Sequence, residues 1–438
     1  MRAVTMSTQH RRRARGFFVG LMGFTLLAGC EVTNPGPVQD EFLGEGASQQ
    51  GMVNGSIRKL AEALNGGQAG LAIIGGIVGR EIFPGGNTNY NLNPVVQGGH
   101  IIPGSFGAQF EQAQQARFIA EESIRRFTTK AAAPDLLHQA HLWAGYSYRV
   151  LGEHWCEAVI DGSALQPGRV YFEKGQTAFT EALRLANTDP KRQAALAGRA
   201  QVRLWLGDFA GAAADAVLVP ANFRFDLGFD ATDFNTQNVI QSANANLPYR
   251  SYSVHFTFQK DYYTQTGDPR TEWVVDPAIP FANSSLQGFG QVPWSNQRKY
   301  RGPGDPVRLA GGPEMLLIRA EVILKQTPAL WPQALLLINQ VRTSNVSRTT
   351  ALPLQPWTAA SADETWAHLK RERSIELWLE GRHWGDQRRW TAQATPGAFA
   401  LPNFEALSSL FRANPRSTCL DVPDSERNAN PNIPEITG

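Results

Sequence analysis

Cysteine is scarce in this sequence: three residues in 438, with no Cys-x-x-Cys pair among them. Also missing are the H-E-x-x-H, G-x-S-x-G, Walker A and G-x-G-x-x-G patterns. Those spacings build a zincin, a nucleophile elbow, a phosphate cradle and a dinucleotide fold, so none of these chemistries has its usual residues here. The eight histidines lack ligand spacing. Asp230, Asp233 and Asn235 do not make a calcium loop of the EF-hand type, because the glycine and the terminal glutamate are absent. A glycoside hydrolase would need two carboxylates about 5–10 Å apart in a cleft. No residues stand out as such a pair, and we expect no catalytic residue, no metal ligand and no cofactor. Charge of one sign is lacking too, with 41 Lys+Arg against 39 Asp+Glu. Nothing in that balance argues for a nucleic-acid partner.

What is present begins at the N-terminus. Arg11, Arg12, Arg13 and Arg15 precede an apolar run over residues 16–27, too short to span a bilayer. Leu27-Ala28-Gly29-Cys30 then resembles a bacterial lipobox. Residues 1–29 are expected to be a lipoprotein signal peptide and Cys30 the lipidated residue, with residues 30–43 a tether interrupted by Pro35 and Pro37. Removing residues 1–29, which hold five arginines and no acids, takes Lys+Arg from 41 to 36 against 39 Asp+Glu, a net charge near −3. No run of 18 apolar residues follows, so membrane attachment is expected through lipid alone. With Cys30 assigned to lipid, Cys156 and Cys419 remain as an even pair in an oxidising compartment. They are expected to form a disulfide, the alternative being two buried thiols.

The middle of the chain reads as helices. Apolar residues recur at helical spacing over 53–65, and residues 66–79 are apolar and glycine-rich, a close-packed helix pair or turn rather than a membrane span. From residue 105 onward, stretches 105–127, 134–151, 172–187 and 190–206 are alanine-rich and amphipathic, joined by short breaks. LWAGYSYRVLGEHWCEA from Leu142 and LAGRAQVRLWLGDFAGAAADA from Leu196 echo one another, with small residues, then Leu-Gly, then an aromatic. That pattern resembles tetratricopeptide repeats. Two later stretches, from Pro313 and from Pro332, repeat it. The expected fold is mainly α: tetratricopeptide-like helical repeats (an α-solenoid core) over 105–220 and 313–390, with long irregular loop-rich insertions. Residues 221–306 form the largest insertion, rich in Asn, Ser, Pro and aromatics, and residues 391–438 a C-terminal segment with little regular signal.

Residues 361–390 are the most informative stretch. Ser361 and Glu364 form a capping box, Gly381 supplies a left-handed stop, and a helix of about five turns is predicted between them. At 100° per residue Glu372, Glu376 and Glu380 fall on one line inside an apolar stripe. Their expected cations are Arg382, Arg388 and Arg389, folding back after a sharp reversal. The order ER-x-IEL-x-x-EG-x-x-W-x-D-x-RRW, carried by Glu372, Arg373, Ile375, Glu376, Leu377, Glu380, Gly381, Trp384, Asp386, Arg388, Arg389 and Trp390, resembles the C-terminal signature of the SusD/RagB family. Arg382-His383 stands where the family usually has His-Arg, and Gly385 and Gln387 where it often has an aromatic and a leucine. The ending, with Glu426 and Asn430-Pro431-Asn432 after a proline, is also similar. The resemblance implies that the motif is structural. It also implies an outer-membrane surface lipoprotein that binds an oligosaccharide or peptide and delivers it to a TonB-dependent (SusC-like) transporter. A helical-repeat scaffold that binds only protein is the competing expectation.

For the ligand site, two loop stretches combine a flat ring with amides or a guanidinium. One carries Tyr90 between Asn89 and Asn91; the other carries Trp294, Asn296, Tyr300 and Arg301. The rings are expected to converge on one exposed face as a stacking platform.

Overall fold

The predicted repeat helices appear as a run of amphipathic elements, each packed on its successor. In the computed structural model, which describes residues 43–434 apart from 44, 68, 86–93, 246–248 and 287–289, helix α1 spans Gly46–Asn65 and α2 Leu71–Val78. After a single turn of helix at Pro94–Gln97 come α3 (Gly107–Thr129), α4 (Pro134–His154), α5 (Arg169–Leu185), α6 (Asp189–Leu206) and α7 (Phe209–Ala216). The signal segment, Cys30 and nearly all of the tether lie outside the described residues. Helix α3 packs on α1, and from α3 to α7 each helix packs on the one before it, as expected of a solenoid. The small residues are what allow the approach. Phe179 of α5 is fully buried between Gly145 of α4 and Gly198 of α6, and a Cβ at Gly145 would lie 2.7 Å from its ring.

Residues 66–79 hold the single short helix α2 rather than a pair, buried along its whole length. Eight apolar residues with two central glycines have no polar face to present, so burial from all sides is the stable outcome.

The chain then leaves the helical stack and returns. It departs through strand β1 (Arg224–Leu227) and comes back through β2 (Val307–Gly311), paired antiparallel with a bulge between Arg308 and Ala310. The extra residue leaves the Leu309 carbonyl free of the ladder, and Arg149 and Gln201 of the helical stack donate to it at 2.5 and 3.0 Å. The insertion so anchored contains short antiparallel pairs, such as Trp273–Val274 with Asn296–Gln297, and the helix Phe258–Thr266. After β2 the helical stack resumes with α8 (Gly312–Gln326) and α9 (Trp331–Thr343), followed by α10 (Ala362–Glu376) and α11 (His383–Ala392). Helix α8 packs on α7, and α10 on both α8 and α9. The molecule is therefore mainly α, with few and short strands.

Cys156, just past the end of α4, is bonded to Cys419, with Cα atoms 5.6 Å apart. Flanking backbone bonds run in parallel with it: Leu420 N–H donates to the His154 carbonyl at 2.8 Å. The bridge closes a loop of 263 residues. Replacing both cysteines by serine is expected to lower unfolding stability by about 2–5 kcal/mol, measured by denaturant titration with and without reductant.

Candidate functional site

Helix α10 starts where its cap dictates. Ser361 Oγ accepts from Glu364 N–H at 3.2 Å, and the Glu364 carboxylate accepts from Ala360 N–H at 2.7 Å. Its end differs from expectation. The helix stops at Glu376, not near Gly381, because the carbonyls that would continue it are taken by the insertion. Arg308 Nη2 donates to the Glu376 carbonyl at 2.6 Å, Lys299 Nζ donates to that of Trp378, and the Tyr300 hydroxyl to that of Leu379 at 3.1 Å. Leu379 and Gly381 then adopt left-handed φ of 56° and 74°. The reversal passes close to α2: a Cβ at Gly381 would lie 3.1 Å from the Ala72 backbone, and one at Gly75 would lie 3.2 Å from that of Gly381.

The glutamates keep to one side of this element, but their partners are not those expected. Glu372 pairs with Arg270 at 2.7 Å and accepts from Trp357 Nε1 at 2.9 Å. Glu376 holds Arg308 at 2.6 Å and Arg270 at 2.9 Å, and Glu380 holds Lys299 at 2.8 Å and Arg308 at 3.0 Å. The closest cations of this ladder come from the insertion or its return strand, and Arg342 of α9 stands further off, 3.9 Å from Glu372. Burial alone would raise the Glu376 carboxyl, but the adjacent Arg308 and Arg270 outweigh it and bring it down to about 2. Burial dominates at Glu372 and leaves it raised, despite Arg270.

Arg382, Arg388 and Arg389 face the helical stack instead. Arg382 pairs with Glu153 of α4 at 3.1 Å and Glu314 of α8 at 2.8 Å. Arg389 grips Glu321 of α8 and Asp386, the latter at 3.0 Å and shared with Arg373 at 2.8 Å. Trp390 Nε1 donates to Glu321 at 3.2 Å. Arg388 donates to the Gly152 carbonyl at 2.7 Å and lies 5.0 Å from the centre of the Trp205 ring. The fold-back of an arginine tail onto its own glutamates is thus corrected: charges adjacent in sequence point to opposite sides of the chain.

The stacking platform is corrected as well. Asn89, Tyr90 and Asn91 lie outside the described residues. Trp294 is 4% exposed and packs with Phe83, Val292, Phe404 and Phe411. Tyr300 is 3% exposed, its hydroxyl committed to Leu379, and Asn296 is buried in its strand pair. Trp294 instead shares an apolar interior cluster with Phe83, which precedes Tyr90 in sequence. Both rings lie inward through the same burial of apolar surface that drives any core.

Among the described candidates, Arg301 stays accessible. Its side chain is 53% exposed and pairs with Glu272 at 2.9 Å. It stands at an open cavity of about 410 Å³, within the range of small-molecule sites. The outer face of the glutamate ladder forms part of the wall through Arg270, Arg308, Glu376 and Glu380, and Arg298, Arg301, Arg348 and Arg224 supply further guanidinium groups. Of the expected ligand residues, the wall holds the buried Tyr300 and the exposed Arg301. Their neighbours Arg298 and Lys299 were legible as a basic run, whereas Arg224, Arg270 and Arg348 come from distant parts of the chain. Replacing Glu376 by alanine would strand Arg308 and Arg270 without a shared counter-ion. The expected loss is roughly 3–5 kcal/mol of stability, read by thermal or denaturant unfolding, against a small change for the exposed Glu364→Ala.

No curated protein matches the chain in sequence. Solved structures do match its fold. A SusD superfamily protein from Bacteroides vulgatus ATCC 8482 aligns at a TM-score of 0.66 and 14% identity, over 89% of this chain and 98% of that one. A SusD superfamily protein from Parabacteroides distasonis ATCC 8503 gives 0.66 and 14%, over 90% and 99%. A laminarin-binding SusD-like protein gives 0.61 and 14%, over 90% and 99%. The family model of the SusD family matches residues 153–436, which run from the end of α4 through the ionic ladder to the C-terminal segment, and the chain belongs to that family.

Proposed function

We propose that this chain is a cell-surface lipoprotein that captures an oligosaccharide and passes it to a TonB-dependent outer-membrane transporter. The observation that carries the reading is membership of the SusD family together with an open cavity built on that family's own signature helix. The laminarin-binding neighbour of the same fold supports a glycan as the ligand class. The cavity of this chain is mouthed by arginines, of which Arg298 and Arg301 follow closely on the hydrogen-bonded pair of Trp273–Val274 with Asn296–Gln297. Lipid attachment at Cys30 would leave the folded body on a tether, free to meet both ligand and transporter.

A glycan array probed with the soluble chain starting at Glu31 should return oligosaccharide binders, and Arg301→Ala should weaken them while leaving the melting temperature unchanged. An array without binders, alongside tight binding of surface proteins, would favour a protein-binding scaffold. Anchoring is tested separately. Mass spectrometry of the N-terminal peptide from membranes should find a diacylglyceryl-modified Cys30, and an unmodified cysteine or a start elsewhere would remove the anchor from the model.

A further inference from the structure

The walls of the cavity carry seven guanidinium or ammonium groups and four carboxylates. The acids are already engaged. Glu376 and Glu380 belong to the ladder with Arg270, Arg308 and Lys299. Asp305 accepts from the backbone N–H groups of Arg301 and Gly302 at 2.5 and 2.9 Å. Glu272 is left to serve both Arg301, at 2.9 Å, and Arg348, at 3.5 Å. The Arg298 side chain has neither an ion-pair nor a hydrogen-bond partner among the described residues. Positive charge therefore exceeds negative at the mouth, on side chains whose planar forks suit an oxyanion.

Aromatic surface is scarce among the described residues that line the cavity. Tyr300 is the one ring among its lining residues, and that ring is buried with its hydroxyl committed to a carbonyl. A neutral sugar gains much of its affinity by laying its apolar face on an exposed ring, and the half-buried Tyr263 beside Glu272, Arg301 and Arg348 stands outside the lining. An anionic group would instead meet cations that stand over a charge-paired, fixed floor.

We infer that this cavity takes an acidic oligosaccharide, its oxyanion held by Arg298, Arg301 and Arg348. The anion is a ring carboxylate, as in a uronic acid, or a sulfate ester; both present the same charge and acceptor oxygens to the guanidinium forks. The inference rests on the proposed glycan binding and narrows its ligand class.

Titration calorimetry of the soluble chain with five probes tests it: trigalacturonic acid, its fully methyl-esterified form, a 6-sulfated chitobiose, maltotriose and a triglutamate peptide. We expect trigalacturonic acid or the sulfated sugar to bind at least ten-fold more tightly than the methyl ester and maltotriose, with affinity falling as salt rises. Preference for the carboxylate or for the sulfate then identifies the anion. Arg298→Gln and Arg348→Gln, both outside the buried ladder, should each lower that affinity five-fold or more at unchanged melting temperature. Equal or tighter binding of maltotriose would overturn the inference and leave glycan capture standing. Binding of triglutamate alone would overturn both, as would binding of none of the five probes together with an empty glycan array. Acidic-sugar affinity that both arginine variants retain would also overturn the assignment to this cavity.

Discussion

Two sets of buried ion pairs meet on α10 and the reversal after it, and the rest of the structure hangs from them. On one side Glu372, Glu376 and Glu380 hold Arg270, Lys299 and Arg308 of the insertion. On the other, Arg373, Arg382 and Arg389 hold Asp386, Glu314, Glu153 and Glu321, which tie them to α4 and α8. Ions taken out of water lose hydration worth several kcal/mol each, and only close opposite charges with further hydrogen bonds recover it. Such a lattice tolerates few alternative arrangements. It therefore fixes where the loop-rich insertion must sit against the helical stack.

That constraint also explains where the cavity lies. Over the ladder the insertion reaches α10 and the reversal with the long side chains of Arg270 and Lys299, while further along Gln259 bonds Ser374 directly. Space remains above the ladder, and its walls are what the ladder leaves over: arginines on the outer edge, engaged carboxylates below. The paired floor is stiff, since each carboxylate is shared between cations and each bridging arginine spans two acids. Side chains at the mouth are freer. A site with a fixed floor and adaptable rim combines a preset charge pattern with room for ligands of different length.

The helical stack was legible because its determinants are local. Alanine-rich amphipathic periods, prolines at helix starts such as Pro134, and glycines opposite Phe179 act within a few turns or between neighbours in sequence. The signature in residues 372–390 was legible for a different reason: its charges and glycine are arranged in an order that few other demands would produce. The candidate site was harder. Trp294 and Tyr300 carry the same chemistry whether they plug an interior or face solvent, and nothing within a few residues of either distinguishes the two. Arg298 and Lys299 sit side by side, yet one lies unpaired at the mouth and the other is locked on Glu380.

By itself, the sequence determined the secondary structure of the stack, the cap at Ser361, the left-handed turn at Gly381 and the family. Each of these depends on backbone preference or on periodicity, which neighbours in the chain set. Which charge pairs with which was decided only by tertiary structure. Arg270 and Arg308 reach Glu376 from 106 and 68 residues away, while Arg382, six residues on, turns to Glu153 and Glu314. Coulombic energy depends on distance in space and on the surrounding dielectric, and neither is a function of separation along the chain. The same holds for exposure: a ring's accessibility is a property of everything packed around it, so the fate of Trp294 and Tyr300 was settled by the fold.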